Sequence, residues 1–285
     1  MKGSFFVSRL ARGLKSHPWR SLLSVYVMFA ALWTPTEAVL AFTSGPGPNG
    51  VVKLGVLAGL AVIIGLARMA VPRCASLPLP GTKTTVHIEV RDLLDFNGHK
   101  VIPVNEFFDS ALGSNVNAST LHGQCIQRLF NGSQAAFDTA VATALSSSKP
   151  RSTAQRPLGG KVVQYNIGTV AVVSHGPSKL FLTALSRTDV STNKAHADIH
   201  DLISAWTATW KAIRVETSGE PVAVPLMGAG QSGVGLSYPD LLRTLLMTLA
   251  HEAREREIGK QVHVLLSEEA FDAIDLKYIR TGMEA

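Results

Sequence analysis

Cysteine is nearly absent from this 285-residue chain, which contains only Cys74 and Cys125. Two cysteines are too few for a disulfide framework, and their separation does not match the spacing of metal-binding cysteines. This scarcity suits a reducing compartment and excludes a small fold that depends on disulfides. No internal repeat is visible either.

Acidic side chains are missing from residues 1–21, which carry five basic residues. From residue 82 onward, 19 Lys and Arg residues oppose 20 Asp and Glu residues, which gives a net charge of −1. The net charge of +6 for the whole chain therefore originates near its N-terminus. Because the rest of the chain is not basic, we expect no nucleic-acid partner, and anionic lipid headgroups suit the basic end better.

Two apolar runs dominate the first quarter of the sequence, at residues 22–42 and 51–71. Each has about the 20 residues that a helix needs to cross a bilayer core. The Gly- and Pro-rich residues 43–50 between them indicate a tight turn. The sequence therefore predicts a transmembrane hairpin over residues 22–71. A soluble pair of core helices is the alternative, but neither run has a polar face.

The flanking charges predict how this hairpin is oriented. Basic residues precede the first run and follow the second, and the intervening turn has none. The positive-inside rule then places both termini in the cytoplasm. Residues 1–21 are predicted to be a basic cytoplasmic N-terminus, and the proline-rich residues 72–83 a linker. A cleaved signal peptide is the alternative for the first run, but it would place the domain outside the cell, against the charge pattern.

Three residues of the hairpin are candidates for a role in membrane output. Glu37 is either a solvated carboxylate near the headgroups or, in an assembly of hairpins, a group that lines a pore. Gly55 and Gly59 form a GxxxG pattern, which permits close contact between membrane helices.

Strand-like and helix-like segments alternate over residues 84–280, which predicts one α/β domain. Residues 146–157, rich in Ser, Lys, Pro and Arg, indicate an exposed loop. The clearest unit is a buried strand over residues 222–227 and a long helix that begins near Tyr238 with Ser237 as its N-cap.

A glycine-rich loop joins this strand to this helix. Backbone N–H groups of such a loop, beside the positive end of a helix dipole, suit a phosphate group. It is not a Walker loop, because no Gly-Lys-Ser/Thr follows, and it is not the dinucleotide motif that follows a first strand. The predicted phosphate-binding residues are Gly228, Ala229, Gly230, Gln231, Ser232 and Gly233.

The stretch Pro-Leu-Met-Gly-Ala-Gly-Gln-Ser-Gly, residues 225–233, resembles the phosphate loop of macro domains, which bind ADP-ribose and related nucleotides. Residues 87–95 are similar to the first strand of that family. The resemblance implies that Asp92 is the family's adenine-reading acid, with Asp95 as its substitute.

Two further segments carry the resemblance in the same order as in the family. Residues 101–105 are similar to the next strand, whose last residue, Asn105, is implied to lie beside the distal ribose; the alternative is that Asn105 caps its own strand end. Residues 117–123 stand where the family's first ligand loop enters a helix. The residues implied there are Ser119, Thr120, Leu121, His122 and Gly123. The implied fold over residues 84–280 is macro-domain-like, a mixed central sheet flanked by helices.

The chain departs from catalytic macro-domain hydrolases directly after Asn105. Those enzymes have a second asparagine and three consecutive glycines there, whereas this chain has Phe107, Phe108 and the single Gly113. We therefore expect binding without turnover, with no catalytic residue and no cofactor. The alternatives are a membrane-tethered ADP-ribosyl hydrolase and a plain ADP-ribose-binding scaffold.

Other residues with chemical potential are interpreted as structural. His196 and His200 have the spacing of a metal-binding pair on one helix face, but no third ligand is in sight, so we expect no metal. Trp206 and Trp210 share that helical spacing and are predicted to belong to the core.

Two transmembrane helices before a divergent macro domain also resemble the membrane effectors of type II Thoeris antiphage defence. In that family a TIR-domain enzyme makes an ADP-ribose-derived signal, a histidine conjugate, which the macro domain senses. The resemblance implies a multi-pass protein of the bacterial inner membrane with a TIR-domain enzyme as its functional partner. It also implies that the activated protein forms a homo-oligomer and disrupts the membrane.

Overall fold

The computed structural model describes residues 23, 25–34, 37, 55–56, 58–64, 74–230 and 233–274. The chain divides into two compact units, Met1–Arg73 and Cys74–Ala285.

The first unit is helical at its described positions, chiefly residues 25–34 and 58–64. None of the described helices combines the length and the apolar character that crossing a bilayer requires. Much of the two predicted spans, and all of residues 1–21, lies outside the described residues, so the hairpin stays a prediction. Glu37 is described, and its Oε2 accepts a hydrogen bond of 2.9 Å from Trp33 Nε1 one helical turn earlier.

The second unit is built on a mixed sheet. Its strands are β1 (Cys74–Pro78), β2 (Thr85–Val90), β3 (His99–Asn105), β4 (Ser152–Thr153), β5 (Val163–Gln164), β6 (Val170–His175), β7 (Ser178–Thr188), β8 (Ala195–His196), β9 (Val222–Pro225) and β10 (Gln261–Leu266). Seven of them lie side by side in the main sheet in the order β1-β2-β10-β9-β3-β7-β6, and β8 pairs with β7, whereas β4 and β5 form a separate two-stranded sheet. The five inner strands are mutually parallel, and β1, β6 and β8 run antiparallel to their neighbours.

In the part of this unit that the structure describes, five helices cover the two faces of the sheet. They are α1 (Leu121–Leu129), α2 (Gln134–Ala144), α3 (Ile199–Glu216), α4 (Tyr238–Glu255) and α5 (Glu268–Ala273). Each begins after a Ser, Thr or Asp whose side chain accepts a hydrogen bond from a backbone N–H of the first turn. Such caps satisfy donors that have no partner within the helix.

Hydrophobic residues on both faces of the sheet make two cores. Along β3, Val101 packs with the α3 and α4 side, whereas its neighbour Ile102 packs with the α1 and α2 side. This alternation follows from the two-residue period of a strand. Trp206 and Trp210 of α3 are fully buried and stacked with ring centroids 5.0 Å apart, which confirms their predicted place in the core. The predicted α/β fold with a mixed sheet between helices is confirmed.

The structure differs from the prediction over residues 72–83, where a linker was expected. Residues 74–78 form β1, which pairs antiparallel with β2, and Leu77 and Leu79 are buried in the core. The prolines suggested a linker, but Pro78 occupies the last position of an edge strand, where a missing N–H is tolerated. The domain therefore begins at Cys74 and not at residue 84.

This correction predicts that Leu79, inside the supposed linker, contributes to stability. Leu79 is 1% exposed, so Leu79→Ala should lower the free energy of unfolding by about 3 kcal/mol, since it removes buried methyl groups and leaves a cavity. Lys83→Ala, a change at an exposed residue of the same segment, is the control and should have little effect. Chemical denaturation of the full chain measures both, and an unaltered Leu79→Ala midpoint would restore the linker interpretation.

Candidate functional site

A cleft of about 470 Å³ opens at the carboxyl ends of the parallel strands β2, β10 and β9. This edge of a parallel sheet is where ligands of open α/β folds bind, because the loops and helix N-termini converge there. The residues around the cleft are Val90, Arg91, Asp92, Leu93, Leu121, Pro225, Leu226, Ala229, Gly230, Leu265, Leu266, Ser267 and Ala270. Four of the predicted ligand-binding residues are thus brought together: Asp92, Leu121, Ala229 and Gly230.

Asp92 stands directly after β2, and the loop that follows it is held by its own side chain. The Oδ1 atom of Asp92 accepts a hydrogen bond of 2.8 Å from the backbone N–H of Leu94. The Oδ2 atom accepts one of 2.6 Å from Arg128 of α1. Asp95, the proposed substitute, does not line the cleft, and its carboxylate also pairs with Arg128.

The residues predicted from Ser119 to Gly123 do not all line the cleft. Only Leu121 lines the cleft. Ser119 bonds Asn117, and Thr120 caps α1 by accepting the N–H of Gly123 at 3.1 Å. At Gly123 an added Cβ would lie 2.3 Å from the Asn117 carbonyl oxygen, so this glycine is required for close backbone packing.

In the glycine-rich loop between β9 and α4, Gly228 and Gly230 differ in the space available beside them. Gly228 has a φ of +86°, and a Cβ there would lie 2.8 Å from the side chain of Val234. A Cβ on Gly230 would meet no atom within 4 Å, and this residue lines the cleft. The Gly233 N–H bonds the Gly230 carbonyl at 3.0 Å. Gln231 and Ser232 lie outside the described residues.

Asn105 does not line the cleft, and its side chain is used inside the protein. Its Oδ1 accepts backbone N–H groups of Phe107 and Asp109, and its Nδ2 donates to Asp109 Oδ2 at 2.9 Å. The asparagine thus caps its own strand end. Asn105 is only 8% exposed, and its implied place beside a distal ribose stays a prediction.

The carboxylate of Asp109 is the centre of a buried polar cluster. Besides Asn105, it accepts a hydrogen bond of 2.6 Å from Arg156 and one of 2.9 Å from the Lys161 backbone N–H. The side chains of Asp109 and Arg156 are each 1% exposed. The guanidinium of Arg156 also lies 4.5 Å from the centre of the Phe107 ring. The loop predicted over residues 146–157 is exposed at most positions, as expected, but it carries the short strand β4 and one buried residue, Arg156, which compensates a buried acid.

His122 lies against this cluster and not in the cleft. Burial lowers its pKa to about 4, the nearby Lys161 ammonium acts in the same direction, and the Asp109 charge and backbone oppose them. In the described part of the chain, His122 Nε2 is buried without a hydrogen-bond partner. The imidazole packs next to Phe137, with ring centroids 5.6 Å apart, so in this structure it is part of the core, and its role in ligand binding stays a prediction.

Sequence reasoning missed two groups of site residues. Arg128 and Arg156 pair with acids 36 and 47 residues away, and no local pattern reveals such pairs. The junction of β10 and α5 lines the cleft through Leu266, Ser267 and Ala270. The sequence signal for this junction is a buried strand followed by a helix with a Ser N-cap, as at Ser237 of α4. Among the described residues no cluster of three or more His, Cys, Asp or Glu could hold a metal ion.

Comparison with known proteins identifies the family of this domain. A family model described as Thoeris protein ThsA, Macro domain, matches residues 86–267. The chain belongs to this family. A curated relative, the Thoeris protein ThsA of Bacillus amyloliquefaciens (strain Y2), is 28% identical over 227 residues, covering 75% of this chain and 73% of that protein.

Solved macro domains share the fold at low identity. The Oceanobacillus iheyensis macrodomain with ADP is 15% identical at a TM-score of 0.50, covering 73% of this chain and 97% of its own. A mutant of that macrodomain with ADPR is 14% identical at a TM-score of 0.51, covering 74% and 100%. These likenesses establish the macro fold of this ThsA relative.

The buried imidazole of His122 predicts a pH dependence of stability. Its folded pKa of about 4 lies below the usual histidine value of 6.5, so the unfolded chain binds a proton first as the pH falls. This contribution is complete above pH 6.5 and is lost progressively towards pH 4, by roughly 3 kcal/mol in all. His122→Gln should therefore flatten the fall in unfolding free energy over this window, as measured by urea denaturation at successive pH values. His251→Gln, at an exposed histidine, is the control and should keep the wild-type slope.

Proposed function

We propose that this macro domain is a sensor that binds an ADP-ribose-derived nucleotide in the cleft. The observation that carries the proposal is the convergence of Asp92, Leu121 and the open Gly230 at one edge of the sheet. The volume of about 470 Å³ lies in the ordinary range of small-molecule sites. Membership of the ThsA macro family and the ADP and ADPR of the Oceanobacillus macrodomains favour this class of ligand.

The parts of such a ligand suit different walls of the cleft. A carboxylate such as Asp92 accepts hydrogen bonds from an exocyclic amino group, which the adenine base supplies. The loop at Ala229 and Gly230 leads towards the N-terminus of α4, where backbone N–H groups and the helix dipole favour a diphosphate. Leu121, Leu226 and Leu266 supply apolar surface between these ends.

Sensing without hydrolysis is the preferred form of this proposal. A hydrolase needs an open and polar place for its attacking water beside the distal part of the ligand. Here the amide of Asn105 is bonded within its own loop, and Phe107 and Phe108 are 1% and 0% exposed. This filled loop favours a protein that releases its ligand intact.

The proposed output lies in the N-terminal unit. In this scheme a partner TIR-domain enzyme produces the signal, a histidine conjugate of ADP-ribose. Binding favours self-association, and the predicted hairpins then gather in the bacterial inner membrane and disrupt it. The ligand drives this change only to the extent that it binds the assembled form more tightly than the free form.

Ligand binding is tested by titrating the full chain, purified in detergent, with ADP-ribose and its histidine conjugate in a calorimeter. Gly230→Val places a branched side chain in open space that faces the cleft, so it should fold normally and bind at least tenfold more weakly. Gly230→Ala is the graded control and should lose less affinity. The recovered nucleotide should be intact by chromatography, and its hydrolysis would establish the enzyme instead. Absence of binding to either nucleotide would refute the sensor.

The membrane output is tested at Glu37. Glu37→Gln removes the charge and keeps an amide oxygen that can still accept the Trp33 hydrogen bond. We expect unchanged nucleotide affinity but altered ligand-dependent leakage of dye from vesicles that contain the full chain. Trp33→Phe, which removes the bond and keeps the charge, separates the two contributions. If Glu37→Gln shows the same leakage as wild type, the N-terminal unit serves only as an anchor.

A further inference from the structure

Arg128 connects two elements that line the cleft, namely the loop after β2 and the helix α1. It lies in the last turn of α1, whose first residue, Leu121, lines the cleft. Its Nη1 bonds Asp92 Oδ2 at 2.6 Å, and its Nη2 bonds Asp95 Oδ1. Arg128 itself is not among the lining residues. The guanidinium therefore holds the loop after β2 to α1 without occupying the space for a ligand.

The contacts of Asp92 leave it able to accept further hydrogen bonds. Arg128 uses one lone pair of Oδ2, and the Leu94 N–H uses one of Oδ1. Each carboxylate oxygen has two lone pairs, so one remains on each. The Asp92 side chain is 43% exposed, at the rim of the cleft.

The same contacts keep this carboxylate ionised. Partial burial is the largest influence on the pKa of Asp92 and raises it. The hydrogen bond from Arg128, the one from the Leu94 backbone and the Arg128 charge together outweigh burial and lower the pKa below its usual value. An ionised carboxylate is an acceptor only and cannot donate a hydrogen bond.

We infer that Arg128 is the positioning residue that sets the base preference of the cleft, by holding Asp92 as an oriented acceptor that selects adenine over hypoxanthine. Adenine presents an amino group at its sixth position, which donates to a carboxylate. Hypoxanthine presents a carbonyl oxygen there, which an ionised carboxylate repels. The inference rests on the proposed nucleotide site and adds to it the residue that enforces its chemistry.

The test compares affinities of the full chain in detergent for ADP-ribose and for inosine diphosphate ribose, which differ only at the base. We expect wild type to prefer ADP-ribose by tenfold or more, as for a hydrogen bond to a charged group. Arg128→Gln should lower this ratio about fivefold or more, because Asp92 loses its anchor. In an Asp92→Asn background the same substitution should leave the ratio unchanged, since Arg128 acts through Asp92.

Two further variants distinguish a specific change in base preference from a general loss of structure. Lys179→Gln breaks a similarly exposed ion pair with Glu216, at the amino end of β7, and should keep the wild-type ratio. Arg128→Lys keeps a charge that reaches one carboxylate, so it should fold and lose part of the preference. If Arg128→Gln does not fold, this variant decides the case, and a ratio equal to wild type would overturn the inference.

The wild-type titrations separate this inference from the proposed function. If wild type binds neither nucleotide, the nucleotide sensor itself fails. If it binds both with equal affinity, the sensor stands and the role of Arg128 is refuted.

Discussion

The end of the domain that carries the cleft depends on the hydrogen bonds and the ion pair of the buried Asp109 carboxylate. It lies four residues beyond β3, an inner strand of the sheet, and is compensated by Asn105, Arg156 and the Lys161 backbone. A buried charge that loses one partner is strongly destabilising, because its desolvation is no longer offset. These contacts hold the loop that leads from β3 to α1, and so they bear on where α1 presents Leu121 and Arg128.

The domain has two regions that are packed differently, one at the end of β3 and the other at the ends of β2, β9 and β10. At the end of β3 the space is filled by the buried Phe107 and Phe108, and the side chain of Asn105 bonds within its own loop. At the ends of β2, β9 and β10 a cleft is open.

The segments that could be predicted from the sequence are those whose signal is local. Over residues 261–266 apolar residues alternate up to a Ser-capped helix, which is a local strand signal, and the structure has β10 at these bounds. The strand, glycine loop and capped helix around Gly230 were recognised for the same reason. By contrast β1 was taken for a linker, since an edge strand with few residues and prolines has little local signal.

The sequence by itself therefore determined the α/β class, the macro resemblance and the loop that carries Ala229 and Gly230. Only the tertiary structure decided which candidate residues share a cleft and which have side chains that are buried or bonded within the protein. Asn105 and His122 look equally available in the sequence, yet one is bonded to its own loop and the other is buried. The physical reason is that Arg128 and Arg156 meet their acids across 36 and 47 residues of chain, and such pairs exist only once the sheet has assembled.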